Sequence, residues 1–408
     1  MAKPTIALFT TYPIVAPRHG GQLRARALVR AYEAAGFVVT PVAVVEKGAW
    51  KREVLGPNDL EFPVDDPRWF ISGENVPLCA DLRSGLFAAT SEEAYEQLCS
   101  RLPSRIDVIH LEQPWLLPVA ERLMKARAAS KAVLVYGSQN IEAPLREAIF
   151  RQLAITKGAT EVVERILALE VRTAQLAQLT LAVAPHDEAV LQKLGAKKVV
   201  RASNGIDGWK ASKKAIEYWR GKLPYRRFAL FIGSGHPPNF DGFFRAFGDA
   251  LGFVPPDCKI VIAGSVSPPI FDHYHRSRFN TLNLSRLEIL GELEDDDLSA
   301  LKTLTSVFLL PIFEGGGSNI KTAEAIYSGK KVIATSTSLR GYDAQAKLPE
   351  IVVADTQEQF RVALRRALSP APGDDRSVEP ARAPRDNLLW TNCLSAVAPA
   401  VNELLTRR

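Results

Sequence analysis

Pro311-Ile312-Phe313-Glu314-Gly315-Gly316-Gly317-Ser318-Asn319-Ile320-Lys321-Thr322-Ala323-Glu324-Ala325-Ile326 follows the strand-like run Ser306-Val307-Phe308-Leu309-Leu310 and opens a stretch with helical spacing. A strand that turns through glycines into a helix suits a phosphate. The glycines let the backbone approach a ligand, and the first helical amides and the helix dipole favour negative charge. Lys321 stands where it can neutralise a diphosphate. Glu324, three residues on, shares roughly the same helix face, where a carboxylate can accept from two ribose hydroxyls. The competing reading of the same residues is a glycine-rich loop followed by a solvated Lys and Glu. Counted from Gly315 the segment approaches a P-loop, but Ile320 occupies the place of the required second glycine.

On both sides of this segment short apolar runs alternate with helix-length stretches. Residues 228–232, 259–263, 287–290, 331–334 and 351–353 make one series; residues 6–9, 38–45, 107–110, 132–136, 179–183 and 198–200 make an earlier one. The alternation predicts an α/β chain with parallel sheets. We expect an N-terminal Rossmann-like domain over 1–207, with 50–87 as an insertion or long loop. A linker over 208–227, a second Rossmann-like domain over 228–385 and a closing helix over 386–408 follow. Neither Gly20-Gly21 nor Gly233-Ser234-Gly235 continues as Gly-x-Gly-x-x-Gly, which argues against a nicotinamide dehydrogenase.

The chain has 408 residues, 47% hydrophobic and 24% charged, which excludes collagen-like, disordered and coiled-coil classes. The net charge of +6 is spread over both halves without a polybasic tract, so no nucleic-acid partner is expected. Cys79, Cys99, Cys258 and Cys393 are far apart, with no Cys-x-x-Cys and no His pair at metal-ligand spacing, so no metal site and a reduced, cytoplasmic setting are expected. Residues 5–9 lack the flanks of a signal peptide, and no run of 18 apolar residues occurs. Membrane association is expected to be peripheral at most. The basic stretch 23–35, with Arg24, Arg26 and Arg30, reads as a solvated face ahead of a membrane-facing one.

Residues 313–335 resemble the donor-site signature of GT-B glycosyltransferases of family four, the glycosyl transferases group 1. There Gly-Gly-Gly-Ser/Thr-x-x-Lys-x-x-Glu-Ala precedes a Gly and a strand, here Gly329 and Val332-Ile333-Ala334-Thr335. Other segments resemble the family in the same order. These are Pro17-Arg18-His19-Gly20-Gly21, Gln139-Asn140-Ile141-Glu142, Ser203-Asn204-Gly205-Ile206-Asp207, the run from Phe231 to Gly242, and Leu290-Gly291-Glu292-Leu293. The resemblance covers most of the chain, with 50–87 unmatched.

The resemblance implies a GT-B fold, two Rossmann-like domains facing a cleft, with the C-terminal helix packing back on the N-terminal domain. It implies retaining, metal-independent transfer of a sugar from a nucleotide diphosphate sugar to a glycan, glycolipid or other acceptor, with no cofactor. Donor-binding positions carried over are Gly20, Gly21, His236, Asn239, Gly291, Glu292, Leu293, Gly316, Gly317, Ser318, Asn319, Lys321 and Glu324. For Asn239 the alternative is a cap on the following helix. Two positions depart from the family: Gly316 replaces a frequent first glutamate, and Gln139 replaces a histidine that contacts the sugar. A Gln hydrogen-bonds but cannot become charged.

His110, at the end of a strand, is therefore the candidate for acceptor binding or proton handling. It joins Gln139 and Lys321 as a catalytic candidate; the alternative is a structural strand-end histidine. Glu112, Asn140 and Glu142 are the acceptor-side candidates, and the two glutamates also read as caps or solvated groups. Two rivals remain: a catalytically silent subunit that binds a nucleotide sugar, and a nucleotide-sugar epimerase.

Overall fold

The apolar runs of the first half become seven strands: β1 (Thr5–Thr10), β2 (Val38–Glu46), β3 (Leu60–Phe62), β4 (Val108–Glu112), β5 (Val133–Ser138), β6 (Leu179–Ala182) and β7 (Val199–Arg201). The runs of the second half become β8 (Arg227–Ile232), β9 (Cys258–Ala263), β10 (Leu287–Gly291), β11 (Val307–Leu310), β12 (Lys331–Ala334) and β13 (Ile351–Val353). This computed structural model describes residues 3–126, 129–223, 227–314, 318–369 and 385–407. The chain divides into two units, Met1–Asn204 with Trp390–Arg408, and Gly205–Leu389.

In the first unit the strand order is β3-β2-β1-β4-β5-β6-β7, and every pairing is parallel. Every residue of β4, β5 and β6 is buried, as expected for parallel strands covered on both faces. The order reverses between β1 and β4, and ligands of such sheets bind beyond the carboxyl ends at that point.

The segment 50–87, expected as an insertion or long loop, carries its own ordered elements. Its three-residue β3 extends the sheet beside β2, and Phe87 packs on Phe62 and Trp69 with ring centroids 5.5 and 5.3 Å apart. A three-residue strand is too short to show a period in sequence. At the C-terminus the single expected helix is two, Trp390–Cys393 and Val397–Thr406. The latter belongs to the first unit and buries Val397 and Val401 beside β5, β6 and the helix Gly20–Ala34.

The second unit has the order β10-β9-β8-β11-β12-β13, all parallel, with its reversal between β8 and β11. The expected linker 208–227 contains a helix, Lys213–Lys222, that is part of this unit. Ser212 caps it, Ala215 and Trp219 are buried, and Trp219 Nε1 donates to Asp297 at 2.8 Å. Its basic surface disguised a buried aromatic face.

The helix Pro237–Phe247 crosses the end of β11 at Gly242, where an added Cβ would lie 2.0 Å from the Pro311 carbonyl oxygen. Gly242→Ala is therefore expected to destabilise the fold by about 1–3 kcal/mol through overpacking. Thermal denaturation followed by circular dichroism checks this; an unchanged midpoint would show that the helix can move away freely.

Candidate functional site

In the second unit the loops after β8, β9 and β10 are tied together at the carboxyl edge of the sheet. Gly233 N donates to Ala263 O at 3.0 Å, Val266 N returns to Gly233 O at 3.2 Å, and Gly264 N donates to Gly291 O at 2.5 Å. Gly291, with φ +70°, turns the chain out of β10; Glu292 is exposed after it, while Leu293 packs against the core. Gly316 and Gly317 lie outside the described residues. Asn319, just beyond them, caps the helix Ile320–Tyr327 by accepting from Lys321 N at 2.9 Å. Ser318 precedes that cap.

Lys321 Nζ donates to Asn239 Oδ1 at 3.0 Å, and the Asn239 amide in turn donates to Ser234 O at 2.9 Å and Ser234 Oγ at 3.0 Å. Asn239 thus sits inside the first turn of its helix, whose cap position is His236, and its side chain bridges two loops. Burial pushes the Lys321 ammonium down to about 8, against a smaller raising effect of Glu324. Burial, then Lys321, lowers His236. The result is a partly enclosed cation at a helix start, held by a neutral amide oxygen. An anion placed there gains from the charge, the helix dipole and the nearby amides together. Glu324 lies one turn on and accepts from Lys302 Nζ at 2.5 Å. Lys302 was invisible to motif reading, since it comes from another helix, Asp295–Leu304.

In the first unit a continuous network runs across the carboxyl ends of β1, β4 and β5. His110 and Glu112, two apart on β4 and fully buried, share one face of the strand. Glu112 accepts from His110 Nε2 at 3.0 Å, from Arg24 Nε at 3.2 Å and from Gln139 Nε2 at 2.7 Å. Burial opposes its charge, but Arg24, His110 and Gln139 together hold its carboxyl below the usual range. With Nε2 donating to the carboxylate, His110 Nδ1 accepts a hydrogen bond from the Tyr32 hydroxyl at 2.8 Å, and burial raises the Tyr32 pKa, so the phenol stays protonated. Gly137 makes room for this, since a Cβ there would lie 2.0 Å from Glu112 Oε1.

Arg24 corrects an expectation. It lies on the stretch read as solvated, yet it is 1% exposed, reaching inward to Glu112 and to Ala202 O at 2.6 Å; Arg26 and Arg30 are the exposed members.

Gln139 is the half-buried end of this network. Its Nε2 donates to both Glu112 and the Tyr12 hydroxyl, which leaves Oε1 as the atom with accepting capacity. Oε1 lies beside Gly21, 3.0 Å from where a Cβ on that residue would stand, and Gly20-Gly21 start the helix Gly20–Ala34. Next to it, Glu142 Oε1 accepts from Gln113 Nε2 at 3.0 Å and Asn140 Nδ2 at 3.3 Å. Gln113 has φ +74°, a conformation that costs a non-glycine residue about 1–2 kcal/mol. Burial, then the Asp81 charge, pushes Glu142 up to about 7. Thus Glu112, Gln139, Asn140 and Glu142 are brought together, while His110 lies enclosed beneath them with both ring nitrogens engaged.

Among the described residues no three His, Cys, Asp or Glu side chains gather as a metal-binding group. No helix among them is long and apolar enough to cross a membrane.

Residues 226–369 match the family model described as glycosyl transferases group 1. No curated protein matches the chain in a sequence comparison. Among solved structures, sucrose-phosphate synthase from Thermosynechococcus elongatus aligns with a TM-score of 0.65 at 16% identity, covering 99% of both chains. The catalytic domain of starch synthase IV from Arabidopsis thaliana, bound to ADP and acarbose, aligns with a TM-score of 0.63 at 14% identity, covering 100% of this chain and 99% of that one. Anabaena HepE in complex with UDP-glucose aligns with a TM-score of 0.57 at 14% identity, covering 99% and 98%. At these identities the likeness speaks for the fold, which is shared from end to end. With the 3-2-1-4-5-6 strand order of each sheet's core and the match over 226–369, the chain is a GT-B-fold protein related to the glycosyl transferases group 1.

Proposed function

We propose that the protein transfers a glycosyl group from a nucleoside diphosphate sugar to a hydroxyl of a glycan, glycolipid or other acceptor, with retention and without a metal. The observation that carries this reading is Lys321, a partly enclosed cation at a helix start, lying between Asn239 and the turn that presents Glu324. Its ammonium, with Ser318, Asn319 and the helix dipole, supplies positive potential where a diphosphate takes up the electron pair of the breaking anomeric C–O bond. His236 and Asn239 face the same phosphates, Glu324 takes the ribose hydroxyls, and the turn Gly291-Glu292-Leu293 borders the base.

In the first unit Gln139 Oε1 is suited to accept from a sugar hydroxyl, and Gly20-Gly21 to offer amides to an anion. Glu112 and His110 act through Gln139 as positioning residues, and Asn140 and Glu142 bind the acceptor. The titratable Glu142 carboxyl is the group suited to take the acceptor proton. Release of nucleoside diphosphate from donor sugars, with and without acceptor glycans, tests the reading. Acceptor-dependent release supports it, and donor binding with no release supports the silent binding protein that Gln139 in place of a histidine suggests.

A pH dependence follows from Lys321. Its folded pKa, about 8, lies below the ordinary lysine value of 10.5, so between these pH values the free folded state carries fewer protons than the unfolded chain. This group's contribution to stability therefore rises with pH across that window. Binding of a diphosphate requires the ammonium and runs the opposite way: once the ligand's own phosphate is fully ionised, by about pH 7, affinity is expected to be flat to about pH 8 and to fall up to about tenfold per pH unit above it. Calorimetric titration with a nucleoside diphosphate from acid to alkaline pH checks this, and an affinity independent of pH through 9.5 would remove Lys321 from the phosphate site.

A further inference from the structure

Lys302 stands outside the glycine-rich signature, yet it is 6% exposed, a rare state for a lysine without a partner. It projects from the helix Asp295–Leu304, and its Nζ meets Glu324 Oε1 at 2.5 Å. The same ammonium lies 5.0 Å from the centre of the Trp209 ring. Trp209 in turn meets the Tyr327 ring, centroids 5.2 Å apart, one turn beyond Glu324 on the same helix. The ammonium is thus fixed between an aromatic face and a carboxylate, and the carboxylate is fixed in return.

A glutamate on a helix surface ordinarily samples several rotamers. Here Oε1 is committed to Lys302 in a side chain that is 24% exposed, so the rotamer of the whole carboxylate is set by that bond. Recognition of two adjacent hydroxyls depends on that orientation, because a carboxylate turned by one rotamer meets at most one of them.

Resting on the donor-site reading above, we propose that Lys302 is a positioning residue that orients Glu324, and that this pair makes the site select ribonucleotides over 2′-deoxyribonucleotides. Selection of this kind arises because a polar group built to pair with a hydroxyl is left unpaired when that hydroxyl is missing.

The test is calorimetric binding of UDP, GDP and ADP, their 2′-deoxy counterparts, and inorganic pyrophosphate to the full chain, as wild type, Lys302→Met and Lys302→Arg. Methionine keeps the apolar stem and removes the charge. The wild type is expected to bind one ribonucleotide at least about tenfold more tightly than its 2′-deoxy form. In Lys302→Met that ratio falls towards one while pyrophosphate affinity stays within about twofold, and Lys302→Arg restores the ratio. A ratio unchanged in Lys302→Met overturns the inference and leaves the donor site standing. Loss of pyrophosphate binding along with the ratio also overturns it, since Lys302 would then support the site as a whole. Failure of every nucleotide to bind the wild type overturns the donor-site reading and this inference with it.

Discussion

Lys321→Ala is expected to lower kcat/KM for the donor sugar by about 10²–10³-fold, the range found when one preorganised donor to a developing oxyanion is removed. The side chain is partly enclosed, its ammonium is held by Asn239 Oδ1 at 3.0 Å, and the start of the helix Ile320–Tyr327 adds backbone dipoles of the same sign. Its removal also leaves the Asn239 amide oxygen without its donor, so the loop after β8 loses a tie to the helix Ile320–Tyr327. Lys321→Arg separates these effects. It restores charge but not the compact fit of an ammonium, so partial recovery is expected. Steady-state kinetics over a range of donor concentrations checks this. A fall in kcat that exceeds the rise in KM marks stabilisation of the departing diphosphate, and equal activity of Lys321→Ala and wild type would contradict the assignment.

Glu112→Gln is expected to produce the largest loss of stability in the first unit. Glu112 and Arg24 are both essentially unexposed, 0% and 1% at the side chain, and every polar partner of the carboxylate is a donor. An amide in its place puts an NH₂ group against one of those donors and leaves the Arg24 charge buried without its counter-charge. Breaking a buried pair from one side costs about 3–5 kcal/mol. For a unit of this size that lowers Tm by about 10 °C. Differential scanning calorimetry checks it. Adding Arg24→Met should recover part of the loss, as coupled residues do, because the stranded charge disappears. A midpoint within a degree of wild type would mean that water reaches the pair and that the network does not brace Gln139.

The two sheets were legible because parallel strands covered on both faces are continuous apolar runs, and β4, β5, β8, β9 and β11 fall on such runs. The same property hid the orientation of His110. Where both faces of a strand are buried, alternation carries no information, so whether its imidazole faces solvent or Glu112 was undetermined by its neighbours in sequence. The group from Asn319 to Glu324 was legible because its chemistry is local, one cap and one helical turn.

The partners of those residues were not legible. Lys302 is 22 residues before Glu324, and Asn239 is 82 before Lys321. Arg24 pairs with Glu112 across 88 residues, and only the β1–β4 adjacency in the sheet brings their elements together. The order inside 50–87, expected as an insertion or long loop, and the helix Lys213–Lys222 were not legible for a related reason. Each owes its structure to a few buried aromatics, such as Phe62 and Trp219, and these anchor a segment without giving it a period.

The central claim, a nucleoside diphosphate site built around Lys321, is tested most directly by a thermal-shift screen of UDP, GDP, ADP, CMP and dTDP sugars on wild type and Lys321→Ala. A ligand that binds only the folded state adds about 2.7 kcal/mol at a concentration one hundred times its Kd, enough to raise the midpoint by several degrees. Stabilisation of the wild type by UDP, GDP or ADP sugars, and not by CMP sugars, abolished in Lys321→Ala, is the predicted result. No stabilisation by any of them, or stabilisation that survives the loss of Lys321, would contradict it.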